Sequence, residues 1–476
     1  MKFTPNLEKN VRTLKNALDS DDVKIKEVKV GARHGRLFFS ADVVDKSAIG
    51  ELIMRPAARL KGRVTEKSLT AAFFSPETEN TEEVKDAAEK IVGGYCALVV
   101  DGIAKVFLFG LKKYDKRAIA EPPTSTVIKG PREGFVESLA VNVSLMRRKL
   151  KTPDLRFKYL SVGRFSKTEV ALCYVNDVAD EKLIDLLRRK IKSIDIDAVL
   201  DSSYVSKFLG ERKTSLFKQI GNTEKPDILA AKILEGRIAI LVDGSPIALT
   251  VPYLLVEDFQ SPSDYYNSSY SATVARILRV FAVIISVYLP ALYVAAQLFH
   301  LQLIPLSFLL TIVNSIKGIP LSPSFEMFFT LLIFEILNEA SVRMPKYVGM
   351  VVSIVGGLVL GETAVNAGII SAPALMIIAL SGICLYTVPE LEQTFSVLRL
   401  IMLIIGGSFG AYGVLIASAI LLIYLVSFEN YGAPLLAPFS PLVVKDLKDG
   451  VYKGFMIEQS IRPLSLKNAN KRRIKK

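Results

Sequence analysis

Few residues of this 476-residue chain are arranged for catalysis, and one carboxylate stands where charge is expensive. His34 and His300 are the two histidines, too scattered for a catalytic triad or a metal centre. Cys96, Cys173 and Cys384 lie in apolar segments without metal-ligand spacing, which agrees with a reducing compartment. Gly210-Glu-Arg-Lys-Thr-Ser215 imitates a phosphate loop but lacks the glycine immediately before lysine, and no strand clearly leads into it. Asp195 and Asp197 read as a solvated turn. No catalytic, cofactor or metal site is expected.

The costly carboxylate is Glu362, inside the apolar run Ser353–Gly368, which carries four glycines. At helical spacing Gly357, Gly361, Ala364 and Gly368 share one face. Small residues four apart let membrane helices approach until their backbones touch. The roughly opposite stripe holds Val352, Val355, Val359, Glu362 and Asn366. An ionisable group at bilayer depth must face protein or a wet cavity. One helix packed against copies of itself, with a mixed apolar and polar lining, is what a gated pore in a homo-oligomeric ring needs. The competing reading is a buried bundle helix whose Glu362 pairs with a nearby Arg or Lys. A second cluster, Glu335, Glu339 and Arg343, recurs at four-residue intervals and permits an ion pair. It reads best as the wet end of a helix.

The elements around these residues fall into two halves. Residues 1 to about 265 are charged throughout and read as α/β; from Val280 to Val426 charges thin and apolar runs dominate. The expected fold is an α/β soluble half of two related subdomains followed by an α-helical multi-span membrane domain. The expected divisions are 1–120, 121–265, a transmembrane domain over 266–430 and a basic cytoplasmic tail over 431–476. No apolar signal segment opens the chain, which puts the soluble half in the cytoplasm. The net charge of +13 tempts toward nucleic acid. Its placement, in the tail and at Arg276 and Arg279 before the first span, fits a membrane surface and anionic lipid instead. Val280–Phe299 is the clearest span, kinked at Pro290; Leu303–Ile316 and Phe325–Leu337 are short for a crossing. Tyr347–Ile370, Pro373–Val388 and Leu398–Val426 complete a set for which four crossings is the expected total, the last one tilted or broken at Gly406-Gly407 and Gly410.

The soluble half contains an apparent duplication. Val30–Asp45 runs parallel to Val162–Asp177, and Gly94–Leu108 to Gly236–Thr250. Each of the latter pair holds two apolar strands joined through Asp-Gly, a tight hairpin signal. Amphipathic helices over Asn6–Leu18 and Phe135–Leu150 open the two units, and Pro122-Pro123 and Gly130-Pro131 punctuate the linker. Matching strand orders are expected. In the second unit Pro131 is expected at the helix start, with Glu133 and Glu137 near its positive end and Arg147 at the other.

The segment opening Gly130-Pro-Arg-Glu-Gly-Phe-Val-Glu137 and running to Leu155 resembles the signature of the A subunits of GerA-type spore germinant receptors. The likeness continues through Glu235–Pro246, Gln260-Ser-Pro-Ser-Asp-Tyr-Tyr266, Phe334–Lys346, the glycine-rich helix and Tyr431–Asp449. The resemblance implies a receptor subunit of the spore inner membrane, acting with a transporter-like B subunit and a lipoprotein C subunit and assembling into an oligomeric channel. Density of the signature around Pro131, Arg132, Glu133, Glu137 and Arg147 implies a subunit interface there. The chain departs from many relatives in lacking a long polar N-terminal extension and in having Glu362 where an amide is expected. An accessory relative of the stage V sporulation AF type shares the pattern. A non-conducting scaffold or signal-relay subunit is the alternative to a channel. A nutrient transporter is disfavoured because the repeat lies outside the membrane half.

Overall fold

The computed structural model describes residues 1–60, 64–73, 77–113, 129–345, 349, 357, 359, 361–450, 452–455 and 458–473. They form an α/β unit, Met1–Leu254 with Asn430–Ala433 and Met456–Lys476, and a helical unit, Leu255–Glu429 with Pro434–Phe455. This division corrects the expected boundaries: 255–265 belongs with the helices, and 431–476 is no separate tail. Tyr431 donates its hydroxyl to the Leu209 carbonyl at 2.6 Å, and Arg462 Nε donates to the Leu234 carbonyl at 2.6 Å. Buried carbonyls at helix ends need such donors, and the C-terminal segments supply them.

Two five-stranded sheets build the α/β unit. In the first, β1 (Val23–Val30), β2 (Arg33–Ser40), β3 (Thr78–Thr81), β4 (Tyr95–Val100) and β5 (Val106–Gly110) take the order β1-β2-β4-β5-β3. In the second, β6 (Leu155–Val162), β7 (Thr168–Val175), β8 (Gly221–Thr223), β9 (Ile238–Val242) and β10 (Ala248–Val251) take the order β6-β7-β9-β10-β8. Position for position the orders agree, as the paired Asp-Gly hairpins predict.

Alternation along each strand gives each sheet two buried faces. Phe38, Val99 and Leu108 pack under α1 (Leu7–Leu18) and α2 (Val84–Val92), whereas Leu37, Leu98 and Phe107 fill the core on the other face. In the second sheet Phe157, Cys173 and Leu241 meet α3 (Leu139–Lys149). Val170, Leu172 and Ile240 meet α4 (Glu181–Lys192). Burying a Leu or Phe of this kind contributes roughly 1.5–3 kcal/mol. The thiols of Cys96 and Cys173 are pushed up by burial, so they serve as small apolar fillers.

The duplication extends to individual hydrogen bonds. Asn10, buried in α1, accepts from the Thr4 amide and donates to the Thr4 carbonyl; Asn142, buried in α3, does the same with Val136. Gly102 donates its amide to the Pro5 carbonyl and Gly244 to the Glu137 carbonyl, both at 2.8 Å. Each glycine has positive φ, 76° and 85°, which the Asp-Gly turn requires. This clamp also moves the expected helix start. Residues 131–137 lead in as irregular chain, Ser138 is the N-cap, and the Leu139 amide donates to the Asp243 carboxylate at 3.0 Å. Pro131 therefore lies well before the helix.

The helical unit is organised by α5 (Ser269–Phe299), α6 (Leu306–Ile316), α7 (Pro323–Arg343), α8 (Ala372–Leu385) and α9 (Glu392–Val426). Among the described residues two helices, α5 and the one ending at Val426, are long and apolar enough to cross a membrane. The expected total of four crossings draws partly on Tyr347–Ile370, much of which lies outside the described residues. Gly410, at φ 63° and ψ −160°, breaks α9, which settles the expected break at that glycine. Close backbone approach occurs at Gly406, where a Cβ would come within 2.6 Å of the Ala291 carbonyl oxygen.

Candidate functional site

Charges buried far from one another in sequence distinguish both units. In the α/β unit the Asp22 carboxylate meets the Arg147 guanidinium side-on, Nε to Oδ2 at 2.9 Å and Nη2 to Oδ1 at 2.8 Å. Neither side chain is exposed. Ser20 and Ser40 donate to the same carboxylate at 2.5 and 3.0 Å, and the guanidinium stacks over the Phe157 ring at 5.0 Å. Burial opposes the Asp22 charge, but Arg147 and the two hydroxyls outweigh it and hold the carboxyl below the usual range. Backbone bonds complete the junction: the Asp21 amide donates to the Phe157 carbonyl at 2.8 Å, and the Phe157 amide to Ser20 Oγ at 2.8 Å. The chain leaving α1 thus runs along the free edge of β6 and joins the two subdomains. Beside it opens a cleft of about 580 Å³, lined by Lys15, Asp21, Lys24, Asp42 and Tyr159 among others. Burial pushes the Asp42 carboxyl up despite the hydrogen bond it accepts from Tyr159 at 3.1 Å.

This geometry corrects the placement of Arg147 at a subunit interface: its guanidinium is sealed inside the chain. Glu133 does not cap the positive end of α3. It reaches the opposite end, pairing with Arg148 at 2.6 Å and Lys149 at 3.3 Å. The Pro131 carbonyl accepts from Lys225 Nζ at 2.8 Å, while Arg132 and Glu137 are exposed.

In the helical unit Pro290 removes a donor from α5, leaving the Ser286 carbonyl without its helical partner. Ser381 of α8 donates to that carbonyl at 2.7 Å and accepts from Arg399 of α9 at 3.0 Å. Arg399, 1% exposed, then reaches Glu335 of α7 at 2.5 Å. Four helices are joined by this one relay, and Glu335 is spent inside it. Glu339 and Arg343 form the expected exposed i,i+4 pair. The charge cluster is therefore split between an interior and a surface.

Arg276 and Arg279, read from sequence as membrane-surface charges, are instead held by carboxylates. Asp264 meets Arg276 Nε at 3.1 Å and Arg279 Nη1 at 2.8 Å, and Asp449 meets Arg276 at 3.1 Å. Burial opposes the Asp264 charge, but Arg279 and the other donors hold its carboxyl low. The motifs around Asp264 and Asp449, recognisable separately, thus belong to one cluster; nothing local in sequence links them.

The proposed pore stripe is described only in part, since Val352 and Val355 lie outside the described residues. Val359 is 46% exposed, and Glu362 and Asn366 are also exposed. On the small-residue face, a Cβ on Gly361 would meet Leu375 of α8 at 3.2 Å, and Ala364 packs against the core shared by α5 and α8. Among the described residues, no heavy atom lies within 4 Å of where a Cβ would stand on Gly357 or Gly368. Among the described residues the glycine face is therefore divided between positions that pack within the chain and positions with no neighbour.

A duplicated α/β domain joined to an apolar helical bundle with arginines buried against carboxylates defines the class, a two-unit protein with, among the described residues, two helices long and apolar enough to cross a membrane. Family comparison sharpens it. The Bacillus/Clostridium GerA spore germination protein family matches residues 11–465, and the chain belongs to that family. It is 33% identical to spore germination protein KA of Bacillus subtilis over 98% of this chain and 88% of that one. It is 34% identical to the uncharacterized membrane protein YfkQ of Bacillus subtilis over 94% of this chain and 88% of that one. A crystal structure of the N-terminal domain of the A subunit of the Bacillus megaterium spore germinant receptor GerK3 aligns at 27% identity and a TM-score of 0.41, covering 53% of this chain and 97% of that one.

Proposed function

We propose that this chain is a non-enzymatic A-type membrane subunit of a spore germinant receptor, and that copies of it form a ring conducting monovalent cations when a germinant is bound. The stripe Val352, Val355, Val359, Glu362 and Asn366 lines the axis, and Gly357 and Gly368 face neighbouring copies. The observation that supports this reading is the state of Glu362. Glu335 and Glu339 meet arginines, whereas Glu362 is exposed and meets no cationic side chain among the described residues. A scaffold helix would bury such a carboxylate against a cation; a wet lumen leaves it open. Valine rings hold a narrow pore shut by excluding water, and a carboxylate ring favours cations. A B subunit resembling a transporter and a lipoprotein C subunit are the partners proposed, in the spore inner membrane with the α/β unit cytoplasmic. The region of Glu133 and the exposed Arg132 and Glu137 is the proposed contact between subunits.

Ion flux through the protein reconstituted in liposomes tests the reading. Val359→Ala should leak cations without a germinant, and Glu362→Lys should weaken or reverse cation preference. Unchanged leakage in both Val355→Ala and Val359→Ala, with normal expression, would move the assignment to a non-conducting scaffold.

A further inference from the structure

A second carboxylate of the helical unit meets no cationic partner among the described residues, and it is deeply buried. Glu326, in the first turn of α7, is 1% exposed. Its side chain accepts the Ser371 amide at 2.6 Å, at the N-cap of α8, and no arginine or lysine reaches it among the described residues. Around it stand buried polar groups that no partner among the described residues satisfies. Tyr293 and Gln297, one turn apart on α5, are 8% and 9% exposed. Among the described residues, the Tyr293 hydroxyl and both polar atoms of the Gln297 amide have no partner in hydrogen-bond geometry. Tyr293 lies beside Glu326, Gln297 and Ser371, close enough to interact with the last two, but among the described residues no group meets its hydroxyl with full hydrogen-bond geometry. Met327, Leu331, Ile370 and Ala374 belong to the apolar core that also holds Tyr293.

Buried amides, hydroxyls and carboxylates are costly unless paired, and unpaired ones gathered at one place call for an explanation. Elsewhere in this unit each deeply buried charge described above has its counter-charge: Arg399 has Glu335, and Arg276 has Asp264 and Asp449. Here the available groups are one carboxylate and the neutral oxygens of Tyr293, Gln297 and Ser371. That set is hard and oxygen-only, with a single negative charge. A divalent ion would leave net charge in a low-dielectric interior, whereas a monovalent one would be neutralised.

We propose that Glu326, Gln297, Tyr293 and Ser371 bind one dehydrated alkali cation inside the helical unit of a single chain. The ion stabilises the junction of α5, α7 and α8. This site is separate from the Glu362 stripe and does not depend on ring formation.

Thermal unfolding of the purified full-length chain in detergent, in chlorides of lithium, sodium, potassium, rubidium, caesium and choline at one ionic strength, tests the proposal. The best-fitting alkali ion should raise Tm by about 3 °C over choline. Glu326→Gln should abolish the difference between salts, and Glu362→Gln should keep it. Equal Tm in all six salts overturns the proposal, as does ion dependence retained in Glu326→Gln and lost in Glu362→Gln. Should Glu326→Gln fail to fold, Tyr293→Phe and Gln297→Leu decide. Each should raise the salt concentration needed for half the effect about tenfold, a loss of about 1.4 kcal/mol in binding; unchanged half-points overturn it.

Discussion

After α1, Ser20 donates to Asp22 at 2.5 Å; after α3, Thr152 donates to Asp154 at 3.1 Å. The duplicated subdomains keep this hydroxyl-x-carboxylate pair in the same place and use it differently. Asp22 is buried beneath Arg147 of the other repeat, while Asp154 is exposed. Arg147 stands five residues after Asn142, and its counterpart five residues after Asn10 is the exposed Lys15. The first repeat thus supplies the anion of the junction and the second the cation. A shared backbone scaffold persists through duplication because it rests on main-chain bonds. A buried ion pair arises only where both partners meet, since either alone is a desolvated charge.

Breaking that pair should have the largest effect. Arg147→Ala leaves Asp22 buried and unpaired, and should cost about 3–5 kcal/mol by chemical denaturation of the full-length protein. Arg147→Lys should recover little, because an ammonium cannot bond side-on to both oxygens. A similar loss in Lys15→Ala would break the contrast between the repeats. The pair also sets a pH dependence. Asp22 titrates below the ordinary aspartate value of 3.8 when folded, so its contribution is complete above that value and is lost as pH falls through the lower folded pKa. Asp42, raised by burial, has the opposite sign, destabilising as pH rises through its range. In Asp22→Asn the acid loss attributable to Asp22 should vanish from the denaturation profile, leaving the Asp42 trend.

Asn10→Ala and Asn142→Ala come next. Each removes two backbone hydrogen bonds from a buried amide and should cost about 2 kcal/mol. A difference between them above about 1 kcal/mol would show that the clamps are not equivalent. Gly102→Ala and Gly244→Ala, which place a side chain at positive φ, should each cost about 1–2 kcal/mol. The smallest effect belongs to Asp154→Ala, expected within about 0.5 kcal/mol of the unmodified protein. A larger loss would mean that the second carboxylate is structural too.

The duplication was legible because its signals are local. Apolar alternation and Asp-Gly at Val100 and Val242 specify strand, turn and strand within a few residues, and the strand order followed. The start of α3 departs from its local signal for the converse reason. Pro131 is a valid local signal for a first helical turn, but Asn142 and Asp243 hold residues 136–139 in another conformation. The break of α9 at Gly410 was foreseeable from composition, because that combination of φ and ψ is essentially reserved to glycine.

Length, apolar runs, the repeated hairpins and the family motifs are properties of contiguous residues and are read directly along the chain. Which charges share an interior depends on how distant segments pack. Asp22 meets Arg147, Arg276 meets Asp264 and Asp449, Arg399 meets Glu335, and among the described residues Glu326 meets neutral groups alone. A carboxylate reads the same in sequence whether it is exposed, paired or buried without a counter-charge. Its desolvation depends on side chains that arrive from distant segments, and only the packed chain determines which of them arrive.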